Sequence, residues 1–257
     1  MRLRSVHEGR ANQHVRDQFD LNYVTPDNDG NFPLVVNRDN STSSTDGQVQ
    51  VYFRNLSSAL ISEIKKADVV LGCVAWLTDF LIIDALRGKD VAIVVQKEDF
   101  LRPDLGASSD WKNHLHARYN TLSCNIERYS FKNMICNLSV CSDITIEPIR
   151  CVGNYNRDKS PAFPRMHNKF MIFAKLVEAA HNIVEEDNEY PIMVPYAVWT
   201  GSFNMTLNAQ KSLENAVLLK DPVLVDAYFQ EFGQIFAISE QLDWSSDWIE
   251  PEFRIGT

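Results

Sequence analysis

The sequence predicts an α/β fold built on a largely parallel sheet. Two observations carry this. Between residues 48 and 96, segments of strand character alternate with helix-spaced segments in the order strand, helix, strand, helix, strand. Within that run, residues 67–77 form the longest apolar stretch of the chain, broken only by Asp68. It is far short of a membrane span and fits a buried strand.

The elements follow in order. Residues 50–54 read as a strand. Residues 56–66 place Leu56, Leu60, Ile61 and Ile64 at helical spacing. After the buried strand, Thr78-Asp79 opens a short helix carrying Phe80, Leu81, Ile83, Ala85 and Leu86, which ends near Gly88. Residues 91–96 form the next strand. A helix is expected over 110–121, and short β-like runs over 122–152. Strands are expected again over 169–174, 197–200 and 214–219. An amphipathic helix over 222–238 closes the chain, with Leu224, Val225, Tyr228, Phe229, Phe232 and Phe236 on its apolar side. Residues 1–47 are rich in Asn, Asp, Arg and Ser and read as an arm or loose subdomain, with a short strand at 32–36. The main domain is then 48–257, interrupted by an acidic insertion at about 175–195.

Composition narrows the function classes. The chain has 257 residues, 45% of them hydrophobic and 23% charged, which suits a globular protein with a sizeable core of its own. A net charge of −9 argues against a surface that binds nucleic acid everywhere, and leaves room for a local basic groove. The five cysteines lack any C-x-x-C pair and read as reduced thiols, with no zinc site. His114 and His116 are too few to hold a metal. The start of the chain lacks the apolar run of a signal peptide, and no membrane anchor is expected; the reading is a cytoplasmic protein.

One constellation carries chemistry. Arg165, His167 and Lys169 alternate along a strand, so all three point to one face. Downstream lies Thr200-Gly-Ser-Phe-Asn204, where Ser202 and Asn204 share a face and Gly201 admits close backbone approach. Ser212-Leu-Glu214-Asn-Ala-Val217 follows. Attack on a phosphodiester needs a nucleophile, positive charge on the non-bridging oxygens and an acid for the leaving oxygen. A neutral imidazole serves as nucleophile and a protonated one as acid. Lys169 supplies a cation, Ser202 and Asn204 supply hydrogen-bond donors, and a carboxylate can orient an imidazole. Trp76 and Trp199 fall in expected strands and read as packing.

These motifs resemble the phospholipase D superfamily. His167-Asn-Lys169 matches its H-x-K motif, Gly201-Ser-Phe-Asn204 its G-S-x-N, and Ser212-Leu-Glu214-Asn-Ala-Val217 the stretch with a family carboxylate. The small single-motif branch, which includes bacterial endonucleases, is the most similar. The resemblance implies a sheet flanked by helices on both faces. It also implies a metal-independent phosphodiesterase without cofactor. His167, Lys169, Ser202, Asn204 and Glu214 would be its catalytic residues, and Glu214 would orient the histidine. Because the chain carries one motif and the reaction uses two histidines, the resemblance implies a homodimer that brings both His167 rings to one site. One ring would form a phosphohistidine, and its mate would protonate the leaving group. The family motif continues to an Asp, where this chain has Ala174; Glu178 in the insertion is a candidate replacement.

Six basic residues fall between 150 and 175: Arg150, Arg157, Lys159, Arg165, Lys169 and Lys175. Asp158 is the only acid among them. Arg157, Lys159 and Arg165 are therefore candidate substrate contacts, and a nucleic acid is the expected partner, DNA before RNA. The acidic insertion could form a rim or lid. Two alternatives stay open: a phospholipid hydrolase or phosphatidyl transferase using the same residues, and an inactive nucleic-acid-binding regulatory module.

Overall fold

A computed structural model of the chain describes residues 20–22, 39–101, 110–125, 146–154, 164–178 and 191–250. Most of the expected N-terminal arm, including its strand at 32–36, lies outside the described residues. So do Arg157, Lys159 and the centre of the acidic insertion.

The strands are β1 (Thr42–Ser43), β2 (Val49–Tyr52), β3 (Val69–Val74), β4 (Asp90–Gln96), β5 (Ile149–Val152), β6 (Lys169–Val177), β7 (Ile192–Gly201) and β8 (Ala216–Leu219). The helices are α1 (Leu56–Lys66), α2 (Phe80–Ala85), α3 (Asp110–Tyr119) and α4 (Pro222–Ala237). All eight strands form one sheet in the order β1-β2-β8-β7-β6-β3-β4-β5. Helix starts follow local chemistry. Asp79 caps α2 by accepting from the Leu81 amide at 3.0 Å. Asp221 caps α4 through the Val223 and Leu224 amides, and Pro222 takes the first turn, where its missing N–H costs nothing.

The α/β class is as expected, but the sheet is not largely parallel. Only β3–β4 and β4–β5 pair in parallel. The other five neighbouring pairs are antiparallel. The reason lies in adjacency. The alternating run before residue 97 does produce strands β2, β3 and β4 of one direction. However, β6, β7 and β8 insert between β2 and β3, so α1 carries the chain across three later strands. β2, β3, β4, β5 and β7 still share a direction, but most of them have an antiparallel neighbour.

Strand alternation sorts the core into two layers. Val70 and Val74 of β3, Val91, Ile93 and Val95 of β4, and Met171 and Phe173 of β6 face α1, α2 and α3. Val69, Leu71, Cys73, Ala92, Val94, Phe170 and Ile172 face α4, whose Val225, Phe229, Phe232 and Phe236 cover them. Helices therefore lie on both faces, as expected. Within β3, Gly72 has no room for a side chain: a Cβ there would stand 2.7 Å from the Phe170 carbonyl oxygen of β6. β1 falls within the expected arm, yet it pairs with β2. Residues 20–22 are also tied down, with the Leu21 amide donating to Lys211 at 2.9 Å.

Substituting Gly72→Ala will push β6 away from β3. It should cost about 1–3 kcal/mol, the usual range for an overfilled core. That would lower the melting temperature by roughly 2–4 °C per kcal/mol in thermal denaturation; an unchanged melting temperature would show that the two strands have slack.

Candidate active site

The antiparallel insertion of β6 brings distant segments to one end of the sheet. β6 begins where β3 ends, with Lys169 opposite Val74 and the Ala75 amide donating to Asn168 at 2.8 Å. β7 ends and β8 begins at the same edge, with Phe170 opposite Thr200 and Gly201 opposite Ala216. His167, Lys169, Ser202, Asn204 and Glu214 therefore gather outside the carboxyl ends of β3, β4 and β7. Open α/β sheets commonly bind ligands at this end.

The two motif side chains touch. The Lys169 ammonium lies 3.3 Å from each ring nitrogen of His167 and donates to the His167 carbonyl at 3.1 Å. Burial lowers the pKa of the His167 imidazole, and the charges of Lys169 and Arg165 lower it further. Burial also lowers the Lys169 pKa, and the Glu214 carboxylate opposes that shift. The result favours a neutral, nucleophilic imidazole beside a cation. Arg165 is half-buried and lies close enough to act on the ring.

The second motif acts as a brace. The Ser202 hydroxyl donates to the Glu214 carboxylate and accepts from the Asn215 amide at 3.0 Å. The Ser202 and Phe203 amides both donate to the Asn215 carbonyl, at 3.1 and 3.3 Å. Gly201 makes this possible, since it sits at φ 150° and a Cβ there would come within 2.8 Å of the Ala216 Cα. Ser202 is thus committed to holding Glu214, rather than free to donate to a substrate. Glu214 is paired with Ser202, and no hydrogen bond joins it to His167 among the described residues; the expected orienting contact is absent within the single chain.

Asn204 lines a cleft of about 450 Å³ together with Glu214, Ser212 and Thr206. Its Oδ1 atom is buried without a hydrogen-bond partner. The loop that carries it is pinned to the end of β3, because the Thr78 and Asp79 amides donate to the Met205 carbonyl at 2.8 and 2.9 Å.

Some expected features lie elsewhere. Arg150 is fully buried and bound to Ser239 and Glu147, so it is a core group and not part of a basic surface. Lys175 pairs with Asp68 at 3.1 Å, at the opposite end of β6. Of the six basic residues, Arg165 and Lys169 are the described ones at the site. Ala174 is buried in the layer under α4, seven residues from His167, roughly 23 Å along an extended chain. Position 174 therefore lies away from the gathered motif residues. Both β6 and β7 extend into the expected insertion, which leaves the sheet at this far end; neither Glu178 nor the base of the insertion borders His167. Among the described residues, no group of three or more His, Cys, Asp or Glu is arranged to hold a metal ion. No helix there is long and apolar enough to cross a membrane.

Two site residues escaped the sequence reading. Trp199 is core as expected, but Trp76 lies just past β3, edge-on to His167 with ring centroids 5.8 Å apart, and its indole N–H donates to Glu98 at 3.1 Å. The signal was its position: it follows the carboxyl end of a central strand. Gln96 is the other. It is buried at the end of β4, where its Oε1 accepts from the Met166 amide at 2.7 Å and its amide group donates to the Asn154 carbonyl at 2.9 Å. It thereby fixes the segment that leads into His167.

No protein-family model matches the chain. Among solved structures it is similar to NucT from Helicobacter pylori, at 12% identity and a TM-score of 0.44, covering 75% of this chain and 98% of that one. It is also similar to Nuc from Salmonella typhimurium, a phospholipase D family member, at 21% identity and a TM-score of 0.39, covering 75% and 95%. In sequence it is 30% identical over 213 residues to the uncharacterized protein L381 of Acanthamoeba polyphaga mimivirus, covering 79% of this chain and 70% of that protein. The chain thus belongs to the same family as the mimivirus protein L381, and its candidate site is built from residues that resemble those of the phospholipase D superfamily.

Proposed function

We propose that the protein is a phosphodiesterase that needs no metal, and that its substrate is a nucleic acid, DNA in the first place. The observation that carries this reading is the contact between His167 and Lys169, a ring held neutral against a cation, at the open end of the sheet. His167 attacks the phosphorus and breaks the bond to the leaving oxygen, leaving a phosphohistidine. Lys169 holds the non-bridging oxygens. Water then displaces the histidine and completes hydrolysis. Glu214, held by Ser202, keeps the Lys169 ammonium charged.

The acid for the leaving oxygen comes from a second copy of the chain. No second histidine hydrogen-bonds to or stacks on His167 among the described residues, and two-fold symmetry supplies one without further sequence. Leu207 and Leu213 stand exposed on the loops that carry Asn204 and Glu214, where a second subunit would cover them.

In excess EDTA, the purified protein is expected to cut plasmid, single-stranded DNA or RNA, and His167→Ala is expected to abolish the cleavage. If none of the three is cut, the nuclease reading fails and phospholipid substrates become the next to assay. A dimer-shared site predicts a mixing effect. When wild type and His167→Ala are refolded together in equal amounts, activity should fall to about a quarter of that of the same total of wild type, because only dimers with two histidines work. A value near one half would mean that each chain acts alone.

The charges around His167 make a pH prediction. In the free protein its ring should titrate below the ordinary imidazole value of about 6.5, as read by NMR. Lys169→Met removes a repelling cation and should raise that pKa. A downward or absent change would sink the electrostatic account of the site.

A further inference from the structure

The cleft beside His167 has an aromatic wall that the proposed hydrolysis does not use. Trp76, Phe100 and Trp111 are its aromatic lining residues. Phe100 and Trp111 meet edge to face at 5.7 Å, and Trp111 remains 42% exposed, so part of its ring stays open to a ligand. Trp76 also stands edge-on to the His167 ring and is anchored by Glu98. The lining also holds polar residues, among them Asn204, Thr206, Asn208, Ser212 and Glu214. The carboxamide of Asn204, a lining residue, has the donor and acceptor chemistry that pairs with a base edge.

We propose that this cleft is a nucleobase subsite, in which a base stacks on Trp111 and presents its hydrogen-bonding edge to Asn204 while its phosphate lies at His167 and Lys169. The proposal rests on the nucleic-acid reading above and gives that substrate its form. A cleft of about 450 Å³ is of ligand size. Stacking on aromatic side chains is sequence-tolerant, because every base offers a π face. Bases inside a duplex are already stacked and paired and cannot enter. The subsite therefore selects single strands, or nucleotides turned out of a helix. A lipid headgroup with a quaternary ammonium would also meet aromatic rings. It fits less well here, because Lys169 and Arg165 place positive charge beside the cleft and Glu214 already faces Lys169.

The test uses the full chain in a His167→Ala background, so that nothing is cut. A labelled 12-mer of single-stranded DNA and its blunt duplex are titrated in EDTA and followed by anisotropy. Trp111→Ala should weaken single-strand binding by about 5- to 150-fold, the worth of one stacked base. Trp111→Phe should restore most of it, and duplex binding should change far less. Trp111 is a surface residue, and circular dichroism checks that the variant is folded. Equal single-strand affinity with and without Trp111 would overturn the subsite. So would Trp111-dependent binding of dihexanoylphosphatidylcholine with no such dependence for the 12-mer. The two readings can fail separately. If the wild type cuts nothing yet single-strand binding depends on Trp111, the hydrolase reading falls and the subsite stands. If the wild type cuts single strands and Trp111→Ala cuts and binds them equally well, the subsite falls alone.

Discussion

The backbone ladder that places β6 between β3 and β7 is the constraint on which the rest depends. Six residue pairs join β3 to β6, and Gly72 lets the two strands close to their normal spacing. On the other side β6 pairs with β7 from Phe170 to Val177, with one irregularity between Phe173 and Ala174. Because β6 runs against both neighbours, its first residue meets the last residues of β3 and β7. That single fact collects Trp76, His167, Lys169, Ser202 and Asn204, which are up to 128 positions apart in the chain. A parallel β6 would have carried His167 and Lys169 to the opposite end.

Electrostatics then gives the cluster its character. A lysine and a histidine in contact cannot both be charged without cost, and partial burial raises that cost. The imidazole yields, because its ordinary pKa is already near neutrality while that of the ammonium lies far above it. Glu214 tilts the balance further toward a charged Lys169. Ser202 and the Asn215 backbone keep Glu214 in place, and Gly201 permits the close turn on which both depend. The G-S-x-N motif thus works at one remove: Ser202 positions a carboxylate, and Asn204 faces the cleft.

Buried polar groups away from the cleft serve the same end. Gln96 spends its hydrogen bonds on the backbone leading into His167. Lys97, next in sequence, is fully buried against Glu240 and donates to the Trp248 carbonyl at 2.6 Å, which ties the segment after α4 to the end of β4. Burying such a pair is expensive unless its hydrogen bonds are complete. Its placement just past β4 therefore holds in register the strand end on which the site is built.

Periodicity alone determined much of this protein. The helices at 56–66 and 222–237 and the strands around Leu71, Ile93 and Ile172 are local properties; Arg165 and His167, expected within the strand, instead precede β6, which begins at Lys169. A side chain's face is set by its own strand or helix repeat. The resemblance of their motifs to one family made His167, Lys169, Ser202, Asn204 and Glu214 candidates together. What tertiary structure decided was adjacency. The sheet became mostly antiparallel because β6, β7 and β8 entered between strands that the sequence places side by side. Arg150 passed from the candidate basic surface to the core, and the strand ends that flank the acidic insertion, Val177 and Ile192, fell at the far end of the sheet. Trp76 passed from packing to the site. No local pattern records these outcomes, because hydrogen bonds between strands carry no mark of which strand will make them.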